Sequence, residues 1–300
     1  MDWFEGFSAA RHAGAGATLH ARTGGRHDGP PLLLLHGFPQ THVMWHRVAQ
    51  RLADEFFLVM PDLRGYGDSE RPVPGDGGDH VWSSKRAMAA DMDALMRGLG
   101  HERYFVCGHD RGGRVAHRLA LDHPQAVRRL VLLDIAPTLD MYAATDMAFA
   151  SAYYHWFHLI QPWPLPEHMI EGCALEYLQA KLGRWGAQGL AHQEPQALAE
   201  YERCFSRAEN IHGACEDYRA SAGIDLEHDR AARAAGQRIA CDLHVVWGGR
   251  GVVHRLFDPL ALWRAQCAGA VSGEVWPAGH YIPEEHPDRT AGLLAGFFKP

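Results

Sequence analysis

Short apolar segments alternate with helix-like stretches along most of this 300-residue chain. Helical periodicity is found in residues 85–100, 112–124 and 258–267. Several of the apolar segments are hydrophobic at nearly every position, which is typical of strands buried on both faces. The pattern therefore predicts an α/β fold, with right-handed βαβ units in a mostly parallel, doubly wound sheet. The predicted strands are PLLLLHG (31–37), FFLVMPD (56–62), RYFVCGHD (103–110), RRLVLLDIA (128–136), DLHVVWGG (242–249) and GEVWPAG (273–279).

The alternation stops between Pro137 and Gly236. This stretch contains the aromatic, proline-rich segment YYHWFHLIQPWPLP (153–166) and helical patterns, but no strand-like run. We expect a core domain made of residues 1–136 and 237–300, with residues 137–236 forming a helical cap over the carboxyl edge of the sheet. Composition predicts that RPVPGDGGDH (71–80) is a flexible surface loop.

Composition excludes several classes of function. The formal net charge is −7, which disfavours nucleic-acid and anionic-membrane partners, and an anionic substrate would need locally placed cations. The six scattered cysteines favour reduced thiols in a cytoplasmic protein over a disulfide framework or a zinc site. The N-terminal residues lack the apolar core of a signal peptide, and the longest aliphatic run, Leu32 to Leu35, is too short to span a bilayer. We expect neither a metal nor a cofactor.

One predicted strand runs into Gly108-His109-Asp110-Arg111-Gly112-Gly113 and then a helix. This is the nucleophile-elbow pattern G-x-S-x-G with aspartate in place of serine. An aspartate, with an ordinary pKa of about 3.9, is already ionised at neutral pH and needs no base to become nucleophilic. Carboxylate attack suits an sp³ carbon bearing a leaving group, or an epoxide. The alternative is that Asp110 only caps the helix.

A histidine and a second acid are expected to complete the site. His280 follows the last predicted strand, which matches the chain order nucleophile, acid, histidine, and it would activate the water that hydrolyses an ester on Asp110. Asp134 ends the strand LVLLD, whereas no acid follows VVWGG until Asp258. We therefore expect Asp134 to accept the His280 N–H, the alternative being that it caps its own loop.

Main-chain amides near the nucleophile are expected to form an oxyanion hole. His36-Gly37-Phe38-Pro39 follows the first buried strand, and the Phe38 amide would join the amide of Arg111 in stabilising a tetrahedral species.

Arg111 and Arg114 stand in the first turn of the helix after Asp110, on one face. Cations are unfavourable at a helix N-terminus, so a compensating anion is expected. A small carboxylate substrate held by the guanidinium groups would supply it. The alternatives are pairing with protein carboxylates or contact with solvent.

These segments resemble those of the fluoroacetate (haloacetate) dehalogenases, a family with the α/β-hydrolase fold. The resemblance covers most of the chain, cap included. It is carried by GHDRGGRVAHRLALDHP, HGFPQTHVMWHRVAQRLADEF, PDLRGYGDS, LLDIAPT, YYHWFHLIQPWPLPE and AGHYIPEEHPD.

The resemblance implies that Asp110 displaces halide from fluoroacetate and/or chloroacetate, giving glycolate after ester hydrolysis by His280 with Asp134. It implies that Arg111 and Arg114 hold the substrate carboxylate. It also implies a halide pocket in the cap made by His155, Trp156 and Tyr218, and a homodimer.

Two alternative functions remain open from the sequence. An epoxide hydrolase would use the same Asp, His and Asp residues with cap tyrosines, but an uncharged epoxide does not need Arg111 and Arg114. The second alternative is a non-catalytic receptor that binds a small molecule on the same scaffold, because a fold alone does not prove activity.

Overall fold

The computed structural model describes residues 3–72 and 78–299. Residues 73–77, inside the loop predicted for residues 71–80, lie outside the described part of the chain. The described residues include eight strands: β1 (Phe7–Ala13), β2 (Thr18–Gly25), β3 (Pro31–Leu35), β4 (Phe57–Pro61), β5 (Tyr104–His109), β6 (Val127–Leu133), β7 (Asp242–Gly248) and β8 (Val271–Trp276).

All eight strands form one sheet in the order β1-β2-β4-β3-β5-β6-β7-β8. Strands β3 to β8 pair in parallel, and β2 pairs antiparallel with both β1 and β4. Every residue of β5 is buried, because helices cover both faces of the parallel part of the sheet. The predicted α/β-hydrolase sheet is confirmed.

The two N-terminal strands were not predicted. In β1 only Phe7 is buried, and most of its other residues are exposed. Strand β2 has the sequence TLHARTGG, with two buried positions. Strand β1 forms the edge of the sheet, and β2 beside it is mostly half-buried. Neither segment therefore shows the continuous hydrophobic run that identifies a central strand buried on both faces.

The helices divide into those that flank the sheet and those inserted between β6 and β7. The flanking helices are α1 (His46–Leu52), α2 (Lys85–Gly98), α3 (Asp110–Asp122), α12 (Val252–Leu256), α13 (Pro259–Gln266), α14 (Ile282–Glu285) and α15 (Pro287–Phe297). The inserted helices are α4 (Thr138–Ala143), α5 (Met147–Ala152), α6 (Tyr154–His158), α7 (Leu165–Glu171), α8 (Ala174–Trp185), α9 (Pro195–Phe205), α10 (Ala208–Ala222) and α11 (Ile224–Ala234).

The insertion is wholly helical, as predicted, and we refer to residues 137–236 as the cap. The division of the chain into domains at these boundaries stays a prediction. No helix in the described ranges is both long and apolar enough to cross a bilayer.

The strand order locates the crevice in which a ligand can bind. From β3 the chain moves outward to β4 and then returns to place β5 on the other side of β3. Connections that leave in opposite directions open a crevice at the carboxyl ends of such neighbouring strands. Phe38 follows β3 and Asp110 follows β5, so both lie at this crevice.

The cap contacts the core through two glycines. Helix α10 passes Gly65, in the segment after β4, so closely that a Cβ on Gly213 would overlap the Gly65 carbonyl oxygen. A Cβ on Gly65 would in turn lie 3.3 Å from the Gly213 Cα atom. Main chain therefore packs directly on main chain at this joint.

Gly213→Ala should destabilise the protein although alanine favours helix, because the added methyl group must push α10 away from the core. We expect the free energy of unfolding to fall by about 1–3 kcal/mol in urea denaturation. Gly292→Ala is the control, since no heavy atom lies within 4 Å of its added Cβ. The free energy of unfolding of this control should rise by up to about 1 kcal/mol. Equal changes in the free energy of unfolding for both variants would contradict the close contact between Gly213 and Gly65.

Candidate active site

The turn from β5 into α3 holds Asp110 in a left-handed conformation, with φ of 46°. A non-glycine residue reaches this region only when its surroundings enforce it, and such strain is concentrated at functional sites. The surrounding backbone leaves no room for side chains: a Cβ on Gly108 would lie 2.5 Å from the Gly112 carbonyl oxygen. The elbow therefore has the local geometry that its sequence predicted.

The Asp110 carboxylate is buried and contacts two of the predicted partners. The Phe38 N–H donates to its Oδ1 atom at 3.0 Å, and its Oδ2 atom lies 3.8 Å from His280 Nε2. Burial alone would raise the pKa of Asp110, but the positive charges of His280, Arg114 and Arg111 outweigh it and lower the pKa below its ordinary value. The carboxylate is therefore ionised, as a nucleophile must be.

His280 and Asp134 form a hydrogen-bonded pair. His280 Nδ1 lies 2.6 Å from Asp134 Oδ2, and the Gly248 N–H fixes the other Asp134 oxygen at 2.9 Å. Burial would lower the pKa of His280, but the hydrogen bond and charge of Asp134 raise it above its ordinary value. The alternative acid, Asp258, instead accepts the Ala261 N–H at the start of α13.

Arg111 pairs with a protein carboxylate, one of the alternatives left open by the sequence. Its Nε donates to Asp217 Oδ2 at 2.8 Å and its Nη2 to Asp217 Oδ1 at 2.7 Å. The Nη2 atom also donates to the Ser221 hydroxyl. Its Nη1 atom is buried without a partner among the described residues, and the guanidinium lies 4.2 Å from the Tyr218 ring centre.

Arg114 is buried and bonds to neutral groups. Its Nη1 donates to Thr138 Oγ1 at 2.8 Å and to the Ala136 carbonyl at 3.3 Å. Its Nε atom has no partner within the described ranges. The guanidinium lies 4.8 Å from the Trp156 ring centre. Burial, together with the charge of Arg111, lowers its pKa below the ordinary value, so a nearby anion would stabilise this cation.

The predicted halide-binding residues lie close to one another. His155, Trp156 and Tyr218 are all buried, and the Tyr218 ring centre lies 5.5 Å from that of His155 and 6.5 Å from that of Trp156. Burial lowers the pKa of His155 well below its ordinary value and raises the pKa of Tyr218 well above its own. Both side chains are therefore neutral, and each carries a hydrogen that it can donate.

Asp217 is a residue of the site that sequence reasoning missed. Besides Arg111 it accepts hydrogen bonds from the Lys85 ammonium and, at 2.6 Å, from the Tyr66 hydroxyl. The positive charges of Arg111 and Lys85 lower the pKa of Asp217, although burial acts in the opposite direction. Asp217 orients this cation, since Nη1 is the one Arg111 nitrogen left unpaired by the residues that the structure describes. Its sequence context, an acid in the amphipathic helix segment EDYRASAGID, carries no distinguishing signal.

Trp185, at the end of α8, was also missed. Its ring centre lies 4.6 Å from that of His155 and 5.7 Å from that of His280. It therefore lies beside both the predicted base and a residue of the predicted halide pocket, in a position that no motif indicated.

Glu284 links the segment after the oxyanion loop to the cap. It accepts hydrogen bonds from the Gln40 side chain and, at 2.8 Å each, from Tyr201 and Gln193 of the cap. The Gln40 N–H donates in turn to the Gly37 carbonyl at 2.9 Å. Burial raises the pKa of Glu284 to about 7 despite these donors.

In the described part of the chain, two clusters contain groups that could ligate a metal ion, namely His20, His42 and Asp62, and Asp68, Glu200 and Cys204. In the first, Asp62 Oδ1 lies 2.7 Å from His42 Nδ1, and Asp62 Oδ2 lies 3.1 Å from His20 Nδ1. Two backbone amides also donate to this carboxylate. Hydrogen bonds within the protein account for these contacts without a metal ion.

A strained aspartate between strand and helix, a His–Asp pair after later strands and a main-chain amide at the nucleophile together characterise enzymes of the α/β-hydrolase fold. A family model described as alpha/beta hydrolase fold matches residues 30–164. A fluoroacetate dehalogenase from Burkholderia sp is 43% identical over 98% of this chain and 94% of its own length.

A soluble epoxide hydrolase from Corynebacterium sp. (strain C12) is 32% identical over 95% of both chains. The crystal structure of a protein from Nostoc sp PCC 7120, provisionally assigned as an α/β hydrolase, shares 50% identity over 99% of both chains, with a TM-score of 0.93. The chain therefore belongs to the α/β-hydrolase family, as a relative of fluoroacetate dehalogenase and, at lower identity, of epoxide hydrolases. This confirms the predicted family resemblance.

Asp217→Asn should destabilise the protein strongly, because it leaves Arg111 and Lys85 buried without their shared carboxylate. We expect a loss of about 3–5 kcal/mol in the free energy of unfolding, measured with urea. Asp288→Asn is the matched control. The Asp288 side chain is 84% exposed where it pairs with Arg51, and removing this surface pair should change the free energy of unfolding little. A similarly small loss for Asp217→Asn would contradict the pairing.

Glu284→Gln should reduce the dependence of stability on pH. A carboxyl group whose folded-state pKa is raised contributes stability that is fully present below its unfolded value of 4.5 and is lost as pH rises through about 7. Glutamine stays neutral, so the difference in unfolding free energy between about pH 5 and about pH 8 should shrink by roughly 2–3 kcal/mol relative to wild type. The measurement is urea denaturation at both pH values.

The control for Glu284→Gln is Glu274, whose side chain is 41% exposed, replaced in the same way. In this control the wild-type dependence of stability on pH should persist. If the stability of Glu284→Gln depended on pH as strongly as that of wild type, the Glu284 carboxyl group would not be protonated in the folded state.

Proposed function

We propose that this hydrolase converts fluoroacetate and/or chloroacetate to glycolate and halide. The observation that carries the proposal is an ionised, buried Asp110 flanked by two buried guanidinium groups, each with one N–H group unpaired within the described residues. A haloacetate has a carboxylate one bond from its reacting carbon. It therefore matches a nucleophile with cations beside it.

The first step would be an SN2 displacement. An oxygen of Asp110 attacks the α-carbon and forms a C–O bond, while the carbon–halogen bond breaks and its electron pair leaves with the halide. Arg111 and Arg114 would hold the carboxylate of the substrate. Fluoride is strongly hydrated, so N–H and O–H donors from His155, Trp156 and Tyr218 would have to replace its water.

The second step would hydrolyse the ester on Asp110. His280 would take a proton from water, and the resulting hydroxide would attack the Asp110 carboxyl carbon. The oxyanion would be stabilised by the amides of Phe38 and Arg111. Its collapse would release glycolate, whose new hydroxyl group takes the proton back from His280, and would leave Asp110 as a carboxylic acid. Loss of that proton to solvent would restore the Asp110 carboxylate. The 3.0 Å contact between the Phe38 amide and Asp110 supports this arrangement.

Epoxide hydrolysis is the second candidate, supported by the identity to an epoxide hydrolase and by the buried tyrosines Tyr153 and Tyr218. Burial raises the pKa of both hydroxyl groups well above the ordinary value, so both could donate to an epoxide oxygen. The buried Arg111 and Arg114 have no use in that reaction, which favours the haloacetate. A non-catalytic receptor would bind either compound without turnover.

The predicted homodimer stays a prediction. Consistent with it, several large apolar side chains of the cap are exposed, among them Trp163, Leu165 and Met169.

Fluoride or chloride release from the two haloacetates, followed with ion-selective electrodes, tests the function directly. We expect wild-type enzyme to release halide and His280→Ala to accumulate an ester, because attack by Asp110 precedes the step that needs the base. Intact mass spectrometry should detect the adduct in His280→Ala and not in Asp110→Asn. Replacement of His168, which is exposed, by alanine should leave turnover intact.

Turnover of epoxides without halide release would favour the second candidate. Ligand binding without any turnover would favour the receptor. Continued haloacetate consumption by His280→Ala without an adduct would contradict the role assigned to His280.

A further inference from the structure

A cavity of about 220 Å³ lies between cap and core, beside the His280–Asp134 pair. Both members of the pair line it, whereas Asp110, Arg111 and Arg114 do not. Tyr153 and Trp185 of the cap form part of its wall. The Trp185 ring centre lies 5.7 Å from that of His280 and 6.0 Å from that of Tyr153, so Trp185 packs beside both of these residues of the cavity wall.

Three arginines line the cavity, namely Arg184 from α8 of the cap and, from the core segment after β7, Arg250 and Arg255. All three are exposed. Within the described ranges, none of them has a carboxylate within ion-pair distance. The cavity therefore carries three positive charges that the protein does not neutralise locally.

Acidic groups near the cavity are already occupied. Asp134, the one acid that lines it, bonds to His280 and to the Gly248 amide. Glu285 lies behind the main chain of the cavity wall, where its carboxylate accepts the amides of Ala187, Gly279 and Tyr281. The positive charges thus face the open space, and the nearby negative charges are held by hydrogen bonds.

We propose that this cavity is a vestibule that binds small monovalent anions, carboxylates and halides, beside the catalytic histidine. The identity of the natural anion rests on the proposed function, since haloacetate, glycolate and halide all carry one negative charge. A chain with a net charge of −7 repels such anions over most of its surface, so a local positive potential is needed to concentrate them. Exposed arginines suit passage, because solvent weakens their attraction enough to permit release.

Trp185 provides a test that does not depend on catalysis. Iodide quenches tryptophan fluorescence on contact and carries a negative charge, whereas acrylamide quenches without charge. Subtracting the signal of Trp185→Phe isolates the contribution of Trp185. The test variant is Arg184→Gln combined with Arg250→Gln and Arg255→Gln. The control combines Arg230→Gln, Arg238→Gln and Arg264→Gln, which changes the net charge equally at exposed arginines that do not line the cavity.

We expect the iodide quenching constant of Trp185 to fall by roughly tenfold in the test variant. It should stay close to wild type in the control variant and in a variant with lysine at positions 184, 250 and 255. Acrylamide quenching should be the same in all four proteins. Equal iodide quenching in the test and control variants would overturn the proposal, as would a loss of quenching in the lysine variant.

A kinetic measurement links the vestibule to turnover. For halide release at low ionic strength, the test variant should lose kcat/KM and the dependence of kcat/KM on salt, while the control variant keeps both. If wild-type protein releases no halide from any haloacetate, the proposed function fails, but the iodide result still decides whether the cavity binds anions. If halide is released and iodide quenching does not depend on the three arginines, only the vestibule is overturned.

Discussion

The site depends on keeping one buried carboxylate, that of Asp110, ionised. A carboxylate withdrawn from water loses several kcal/mol of solvation free energy. The hydrogen bond from the Phe38 amide and the charges of His280, Arg114 and Arg111 compensate for this loss. These groups follow β3, follow β8 and begin α3. Parallel strands bring their carboxyl ends to one edge of the sheet. The fold therefore places these groups close enough to Asp110 to stabilise its negative charge.

The cap supplies the opposite charges that this edge then needs. Asp217 of α10 holds Arg111 and Lys85, while Glu284 of the core accepts hydrogen bonds from Tyr201 and Gln193 of the cap. Close packing of Gly213 on Gly65 allows α10 to come near enough for these contacts. The cap is thus part of the electrostatic structure of the site as well as its cover. Among the described residues, one nitrogen atom of each arginine has no partner and remains for a ligand.

The sequence predicted the strand ends well because each is a local pattern. An apolar run followed by glycines and an aspartate defines the elbow, and chain order points to His280 and Asp134. Sequence reasoning missed β1 and β2, whose residues are mostly exposed or only half buried and lack a hydrophobic run. It also missed Asp217, because an acid on a helix has the same local appearance whether it faces solvent or a buried arginine.

The sequence by itself determined the α/β sheet, the helical insertion and the residue types at the elbow, since these follow from local periodicity and from the steric demands of one tight turn. Only the tertiary structure decided which charges meet. Asp217 is 106 residues from Arg111 along the chain, and the three arginines of the vestibule come from two segments on opposite sides of the cap–core boundary. Coulombic attraction acts through space, so pairing between distant segments depends on packing that no local pattern encodes.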